Sequence, residues 1–388
     1  MSRRPKTALL VGVAVVLLAA GCGDAGESSE VPETTTTTTT VAAEPATVTS
    51  PPVSTVPPRD FSAVTPIVQD FVDEHALDGA GLVVVHVDDG IVHEEYWGDF
   101  DADRVSLIAS SSKMITAGVL LHLQDRGLLD IEAPVAAAVP WGDANPAITP
   151  AHLLSNSSGL VGLLPNPGYA PYACQYSPTG TLQDCGEAIF TTAGDDGDIV
   201  GPGTAFRYGG GQWQVAGAIA EAVSGQPWAD LIDEIYGEPC GLEATGYGNP
   251  LGAFPVFDLS YPDHFLGDPS NLVPTANPNM EAGAYTTTGD YAELLLMHLR
   301  GGVCGDERVL SEASVEVLHT DRTDPGYAMG WWVDRSTGRL TDAGAFGAVP
   351  WLDLDDGYGA YLVIEADSVL GDRLAQVLFE PVEAAVVG

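Results

Sequence analysis

Hydrophobic and polar positions change period several times along the chain after Arg59. Residues 81–86 and 91–97 are β-rich runs joined by Val87-Asp88-Asp89-Gly90, a turn sequence that favours a hairpin. Strand signals return only near the end of the chain, at 327–333, 339–346 and 360–365. Helical periodicity marks the segments 64–74, 110–127, 150–154, 213–223, 228–236, 291–299 and 370–385.

Strand patterns at both ends of this region therefore bracket a helical middle. They predict an α/β (α+β) fold, with one antiparallel sheet built from both termini, flanked by helices, and a mostly helical lobe inserted between. We expect a single domain over 59–388, in which 59–110 and 325–388 form the α/β part and 111–324 form the lobe.

The first residues have the pattern of a sorting signal. Three basic residues precede the apolar run 8–20, which is too short to span a bilayer. The run ends in Leu-Ala-Ala-Gly-Cys at 18–22, which resembles the lipobox of bacterial lipoproteins. Residues 1–21 are thus expected to be a signal peptide, with a lipid on Cys22 anchoring the protein to the outer face of the bacterial cell membrane. The alternative is an ordinary signal peptide with a chance cysteine.

A linker is predicted over 22–58. It contains an unbroken threonine run at 34–40 and is otherwise rich in Ala, Val, Ser and Pro. Such a composition cannot bury a core and is typical of an extended spacer. The linker would hold the domain away from the membrane surface.

The net charge of the chain argues against some classes of binding partner. The 388-residue chain carries 14 Lys plus Arg against 54 Asp plus Glu, a formal net charge of −40. Such a surface repels phosphates and argues against nucleic acid. No histidines are spaced as ligands on one predicted helix, and no C-x-x-C is present, so neither a metal nor a cofactor is expected.

Besides Cys22 the chain has four cysteines, an even number that suggests disulfides in an exported protein. Three connectivities are possible, and four reduced, buried thiols are the alternative. Because Cys174 and Cys185 are close in sequence within a Pro/Tyr/Gly-rich segment, we expect them to pair. Elimination then pairs Cys240 with Cys304.

Ser110 and Lys113 are the candidate chemical groups. Lys113 is one of only two lysines in the chain, the other being Lys6 in the leader. Residues three apart share a helix face, so Lys113 can lie beside Ser110. Desolvation lowers the pKa of a buried lysine, and a neutral amine can activate a serine nucleophile. The alternative is a capping serine followed by a solvated lysine.

Four stretches together resemble the serine β-lactamase-like hydrolases, in particular the class C branch with its D-peptidases and carboxylesterases. These are Leu-Ile-Ala-Ser-Ser-Ser-Lys at 107–113, His-Leu-Leu-Ser-Asn-Ser-Ser-Gly-Leu at 152–160, Phe-Arg-Tyr-Gly-Gly-Gly-Gln-Trp-Gln-Val-Ala-Gly at 206–217 and Asp-Ala-Gly-Ala-Phe-Gly-Ala-Val-Pro-Trp at 342–351. They occur in the family's order and together span the region from Arg59 to the C-terminus.

The resemblance implies a role for each motif. Ser110 would be the acylated nucleophile, and Lys113 and Tyr208 would share its proton, with Tyr208 held at or near the phenolate state by Lys113. The backbone N–H groups of Ser110 and Ala345 would form the oxyanion hole. Gly344 would let its strand approach the substrate closely. The stretch 152–160 would be structural.

Two positions depart from the family pattern. Gly210 stands where the middle motif usually ends in Asn, whose amide often holds the substrate, and Asp342 stands where the last motif usually begins with Lys or His. The resemblance implies that both positions bind substrate. Asp342 would repel substrate carboxylates, unless it turns away and pairs with Arg339. Trp351 either lines the pocket or packs in the core. Both departures weaken the β-lactamase interpretation and leave the nucleophile and its bases intact.

The sequence therefore predicts an extracytoplasmic serine hydrolase that cleaves a small-molecule ester or amide through an acyl-enzyme on Ser110. Carboxylesterase activity ranks above D-peptidase or amidase activity, and both rank above β-lactamase activity. The membrane is contacted through the lipid anchor only. The alternative function is a catalytically silent binding or sensor protein at the cell surface that retains the fold.

Overall fold

The computed structural model describes residues 59–164, 168–192, 198–251 and 260–388. The predicted signal peptide, Cys22 and the linker lie outside these residues. In chain order the strands are β1 (Gly79–His86), β2 (Gly90–Gly98), β3 (Ser106–Leu107), β4 (Gly246–Tyr247), β5 (Ala284–Thr286), β6 (Val303–Cys304), β7 (Glu307–Arg308), β8 (Trp332–Val333), β9 (Leu340–Thr341), β10 (Ala348–Asp353) and β11 (Tyr358–Val363). The helices are α1 (Val64–His75), α2 (Lys113–Asp125), α3 (Pro150–Leu154), α4 (Leu182–Phe190), α5 (Gly211–Ser224), α6 (Trp228–Ile232), α7 (Glu238–Cys240), α8 (Thr288–Leu299), α9 (Glu312–His319) and α10 (Ser368–Val387).

The main sheet joins the two ends of the domain. Its strand order is β2-β1-β11-β10-β9-β8, and the pairing of β1 with β11 places Gly81 opposite Val363. Each paired neighbour in this sheet runs antiparallel. The predicted fold, with a sheet built from both termini around a helical insert, is confirmed.

Strand β1 is buried on both faces because helices cover both sides of the sheet there. Successive side chains of a strand point to opposite faces. Leu82 and Val84 pack in the apolar layer beneath α1 and α10, whereas Val83 and Val85 pack against the helical lobe. This sandwich of helices, sheet and helices holds the last strands of the sheet against the start of α2.

The helical lobe carries both disulfides. Cys174 pairs with Cys185 and ties the 3₁₀ segment Ala170–Tyr176 to α4, while Cys240 pairs with Cys304 and ties the end of α7 to β6. Both predicted pairings are confirmed. Over the described ranges, no helix combines the length and the apolar character needed to cross a bilayer.

One predicted strand is placed differently in the structure. The pattern over 339–346 predicts a continuous strand, yet β9 is short and the long neighbour is β10. A tight turn interrupts the run: the Gly347 N–H donates to the Gly344 carbonyl at 3.0 Å, and Gly347 has a φ of 78°. Glycine adopts this left-handed backbone readily, so the chain reverses there and β10 begins.

Candidate active site

Ser110 lies in a short 3₁₀ segment, Ala109–Ser112, that leads directly into α2. The sequence predicts an α-helix beginning at Ser110, so the structure moves the helix start to Lys113. Ala109 has a φ of 45°, a left-handed conformation that is costly for a residue with a Cβ. The turn that presents Ser110 is therefore strained and must be held by its surroundings.

The next two serines fasten this turn to both of its neighbours. The Ser111 hydroxyl donates to the Asp342 carbonyl at 2.6 Å, which joins the turn to the segment after β9. The Ser112 hydroxyl donates to the Ala109 carbonyl at 2.6 Å and accepts from the Ala284 N–H at 3.0 Å, which joins it to β5. Each serine of the triplet thus has a separate contact, and Ser110 is the one that lines the cleft.

Lys113 is fully buried, at 0% exposure, and its amine is aimed at Ser110. Its Nζ lies 2.9 Å from Ser110 Oγ and donates at 3.1 Å to the Glu281 backbone carbonyl. The same nitrogen lies 4.7 Å from the centre of the Tyr208 ring. The structure therefore brings together the three residues that the resemblance names as catalytic: Ser110, Lys113 and Tyr208.

A hydrogen-bonded centre at Asn156 holds the segment that carries Tyr208. The Asn156 side-chain oxygen accepts from the Gly209 N–H at 3.0 Å, from Gln212 Nε2 at 3.1 Å and from Trp213 Nε1 at 2.9 Å. Asn156 itself has a φ of 57°, a conformation that asparagine tolerates better than most residues. The stretch 152–160 thus contacts the Tyr208 segment and shapes the site from behind.

The pKa values of Lys113 and Tyr208 depend on each other and on burial. Burial lowers the pKa of Lys113, but the neighbouring Tyr208, Glu281 and Asp342 raise it more, so it ends above its ordinary value. Burial raises the pKa of Tyr208, and Lys113 offsets only part of that rise. Each group thus favours the charged form of the other, while burial disfavours both charged forms.

A cleft of about 900 Å³ opens in front of Ser110. Ala345, the second predicted member of the oxyanion hole, lines the same cleft. Gly344 lets its segment approach the nucleophile, because a Cβ there would meet the Ile108 carbonyl at 2.1 Å. Gly344 packs directly against the turn that precedes Ser110. This contact positions Ala345, the next residue, beside the nucleophile.

Gly210, the residue in place of the family's Asn, caps α5 with a φ of 83° and a ψ of −161°. A Cβ at this position would lie 2.7 Å from the Leu163 nitrogen, so the backbone excludes a side chain. The Gly210 N–H donates to Glu281 Oε2 at 2.6 Å. Gly210 therefore contributes a backbone donor, and the predicted direct contact with substrate is not supported by its surroundings.

Asp342 and Trp351 do not line the cleft. Asp342 is 0% exposed on the Lys113 side of its strand, whereas Thr341 and Ala343 face the cleft. The prediction that Asp342 meets the substrate is therefore wrong. The alternative is wrong as well, because Arg339 pairs with Glu383 at 3.1 Å.

Trp351 is fully buried and packs edge-on against Phe379 of α10, with ring centres 5.2 Å apart. It belongs to the apolar layer between the sheet and the terminal helices. Val349, two residues earlier on the same face of β10, belongs to the same layer and also reaches the edge of the cleft near the turn. The core interpretation of Trp351 is the correct one.

Asp342 gives a prediction about stability. Burial raises the pKa of its carboxyl well above the ordinary value, and Lys113 offsets this only in part. The backbone N–H of Met114 also lowers this pKa, but among the described residues no group makes a hydrogen bond of good geometry to either carboxyl oxygen. Because the folded state binds this proton more tightly, the free energy of unfolding falls as pH rises above the unfolded pKa of about 4.

We expect Asp342→Asn to stabilise the protein by more than about 1 kcal/mol at pH 7, with a smaller gain near pH 4. Denaturant unfolding of both proteins at pH 4 to 8 measures this difference. The exposed Asp324→Asn serves as the control and should leave the pH dependence unchanged. A gain that is equal at both ends of the range would contradict the assigned protonation.

Sequence reasoning missed Glu281. Its carboxylate Oε2 lies 3.7 Å from Lys113 Nζ, and the residue is only 3% exposed. The one available signal is an acidic residue between the apolar Met280 and Ala282, just before β5. Within the described part of the chain, no three His, Cys, Asp or Glu side chains are grouped as metal ligands.

Comparison with known proteins agrees with this geometry. The Beta-lactamase family model matches residues 64–378. Penicillin-binding protein 4 of Amycolatopsis lactamdurans is 28% identical over 63% of this chain, and the match spans 66% of that protein, just under two thirds of its length. Esterase EstB of Burkholderia gladioli is 28% identical over 41% of this chain and 42% of its own.

A solved structure shows the same fold. EstCE1, described as a hydrolase with promiscuous acyltransferase activity, superposes with a TM-score of 0.68 at 20% identity, over 84% of this chain and 98% of its own. The family match covers most of the domain, including the Ser110–Lys113 turn and the strand segment that carries Ala345. The chain therefore belongs to the Beta-lactamase family, and is a β-lactamase-like serine hydrolase.

Proposed function

We propose that this protein is a carboxylesterase that works through an acyl-enzyme on Ser110. One observation carries the proposal: Ser110 Oγ lies 2.9 Å from the buried Lys113 amine, at the edge of a cleft that Tyr208 and Ala345 also line. A serine hydroxyl needs such a partner to become a nucleophile. The esterase among its relatives supports the same chemistry.

In the proposed reaction Ser110 Oγ attacks the ester carbonyl carbon, and its proton passes to the Lys113–Tyr208 pair. The carbonyl oxygen becomes an oxyanion, which the backbone N–H groups of Ser110 and Ala345 stabilise. The oxyanion collapses, the C–O bond to the alcohol breaks, and the pair returns the proton to the leaving oxygen. Water then attacks the acyl-enzyme by the same route and releases the acid.

The cleft walls support a preference for neutral or amine-bearing substrates. Aromatic rings line the side near Tyr208, where Trp332 stacks on it with centres 5.5 Å apart. Asp334 and Asp372 also line the cleft, and Arg339, another lining residue, is already paired with Glu383. Hydrogen bonds from Ser336 lower the pKa of Asp334, so this carboxylate is charged at neutral pH. A substrate carboxylate would meet net negative charge.

A fluorophosphonate probe tests the nucleophile. It should label the folded protein, and mass spectrometry should place the adduct on Ser110. Matched p-nitrophenyl esters, with a neutral, amine-bearing or carboxylate-bearing acyl chain, then test the preference. We expect the carboxylate ester to be the poorest substrate and nitrocefin to be turned over slowly or not at all.

Two results would overturn the proposal. Clean absence of labelling in folded protein supports the silent binding protein. Efficient labelling with turnover only of D-amino acid amides or nitrocefin replaces esterase activity with amidase or β-lactamase activity. Asp334→Asn with Asp372→Asn should reduce the discrimination against the carboxylate ester, and an unchanged preference would place its cause elsewhere.

We also propose that the enzyme acts outside the cytoplasm, attached through a lipid on Cys22. The lipobox-like sequence at 18–22 is the support for this. Cells fed an alkyne fatty acid should incorporate label into the wild-type protein and not into Cys22→Ala. Equal incorporation of label into wild type and Cys22→Ala would refute lipidation at Cys22.

A further inference from the structure

Glu281 contacts the catalytic lysine twice. Its backbone carbonyl accepts from Lys113 Nζ at 3.1 Å, and its carboxylate Oε2 lies 3.7 Å from the same nitrogen. Both side chains are almost completely buried, Lys113 at 0% and Glu281 at 3% exposure. A buried ion pair of this kind is screened little by solvent, so its effect on Lys113 is larger than that of a surface pair.

The carboxylate is fixed in place from the other side. The Gly210 N–H donates to the same Oε2 at 2.6 Å. A Cβ on Gly209 would lie 2.5 Å from Oε2, so the two glycines leave the space that the carboxylate fills. The glycine in the middle motif and Glu281 therefore form one arrangement, in which a backbone donor and the lysine share a carboxylate.

We propose that Glu281 is a positioning residue that holds Lys113 beside Ser110 as an ammonium ion, and so leaves Tyr208 as the group that accepts the Ser110 proton. The inference rests on the proposed function. An ammonium donates to Ser110 Oγ, and its charge favours the phenolate form of Tyr208, which takes the Ser110 proton and becomes a phenol as Oγ attacks the carbonyl carbon. It cannot itself take a proton.

The charges around Lys113 favour this assignment. Tyr208, Glu281 and Asp342 are the titratable groups that act on it, from three separate segments of the chain. Burial raises the pKa of Asp342 and of Tyr208, which disfavours a negative charge on either side chain. The Glu281 carboxylate, held by the Gly210 N–H and 3.7 Å from Lys113 Nζ, is therefore the best placed of the three to supply negative charge.

The chain offers a direct measurement, because Lys6 and Lys113 are its only lysines. In a Lys6→Arg background, lysine labelled with ¹³C at Cε gives a single NMR signal from Lys113. We expect that signal to remain that of an ammonium up to about pH 10. Glu281→Gln keeps an acceptor for the Gly210 N–H and removes the charge, and it should lower the pKa of Lys113 by about one unit or more.

A matched control is available in Glu221. It is also buried, and its Oε1 accepts the Trp228 N–H at 2.8 Å. Glu221→Gln removes a carboxylate of similar burial and backbone contact from another part of the helical lobe. It should leave the Lys113 titration unchanged. Circular dichroism of each variant confirms that it is folded before titration.

Kinetics provide the second measurement. In wild type, kcat/KM should rise with pH into the alkaline range, since the accepting group must lose its proton. In Glu281→Gln this rise of kcat/KM should occur at lower pH, displaced by about the shift in the Lys113 pKa, because a neutral amine becomes available as a base. Its plateau should fall, since Lys113 is held less firmly. If Glu281 served only to stabilise the fold, Glu281→Gln would lower the maximal kcat/KM without changing the pH at which kcat/KM rises.

The two proposals fail separately. The NMR titration uses no substrate, so a wild-type protein that does not label at Ser110 refutes the esterase and still reports on Glu281. An identical Lys113 titration in wild type and Glu281→Gln overturns the role of Glu281, whether or not the protein hydrolyses esters.

Discussion

Ser110→Ala is expected to abolish covalent labelling and to lower kcat/KM for an ester substrate by at least about a thousandfold. The variant keeps the turn, because its contacts are made by Ser111 and Ser112. It removes only the oxygen that attacks the substrate. Steady-state kinetics on a p-nitrophenyl ester, together with intact-mass analysis after the probe, measure both effects.

Lys113→Ala and Tyr208→Phe should each be severe on their own, and adding either to Ser110→Ala should cost less than about tenfold more. Residues that act as one unit lose most of their effect once one of them is gone. Ser62→Ala, an exposed serine at the start of the domain, is the control and should be fully active. An adduct on Ser111 or Ser112 in wild type would show that the assigned nucleophile is wrong.

Removal of the Cys240–Cys304 disulfide, by Cys240→Ala with Cys304→Ala, is expected to destabilise the domain by about 4 kcal/mol. The two cysteines are 64 residues apart in sequence, so the cross-link restricts a long loop of the unfolded chain. At about 1.4 kcal/mol per tenfold change, this corresponds to roughly a thousandfold change in the folding equilibrium. Denaturant midpoints under oxidising conditions give the comparison.

The second disulfide provides an internal reference. Cys174 and Cys185 are 11 residues apart, and the same relation gives about 3 kcal/mol for this shorter loop. Removal of the Cys174–Cys185 pair should therefore be the milder change, and activity per folded molecule should survive in both variants. A larger loss from the short loop would mean that local packing, and not chain entropy, sets the cost.

Local patterns in the sequence were sufficient for much of the fold. The hairpin of β1 and β2 follows from two β-rich runs around a turn, and the juxtaposition of Ser110 and Lys113 follows from their spacing along one turn. The disulfides follow from the number and spacing of cysteines. In each case the interacting residues are near in sequence, or few partners are possible.

Contacts between distant segments were not predictable in this way. Glu281 reaches Lys113 across most of the helical lobe, and no period or motif links the two positions. For Asp342 the sequence predicts a strand, but the face that a residue occupies depends on where the strand begins. The turn at Gly344–Gly347 displaced that start, and it left Asp342 beneath the catalytic lysine.

The pairing of β1 with β11 determines how much of the chain must be synthesised before the active site can form. Gly81 is synthesised long before its partner Val363, so the pairing of β1 with β11 is a contact of very high sequence separation. The segment that brings Ala345 to Ser110 is likewise made late. A nascent chain carries its nucleophile for most of its synthesis without the opposite wall of the site, and a chain shortened before β10 would never acquire that wall.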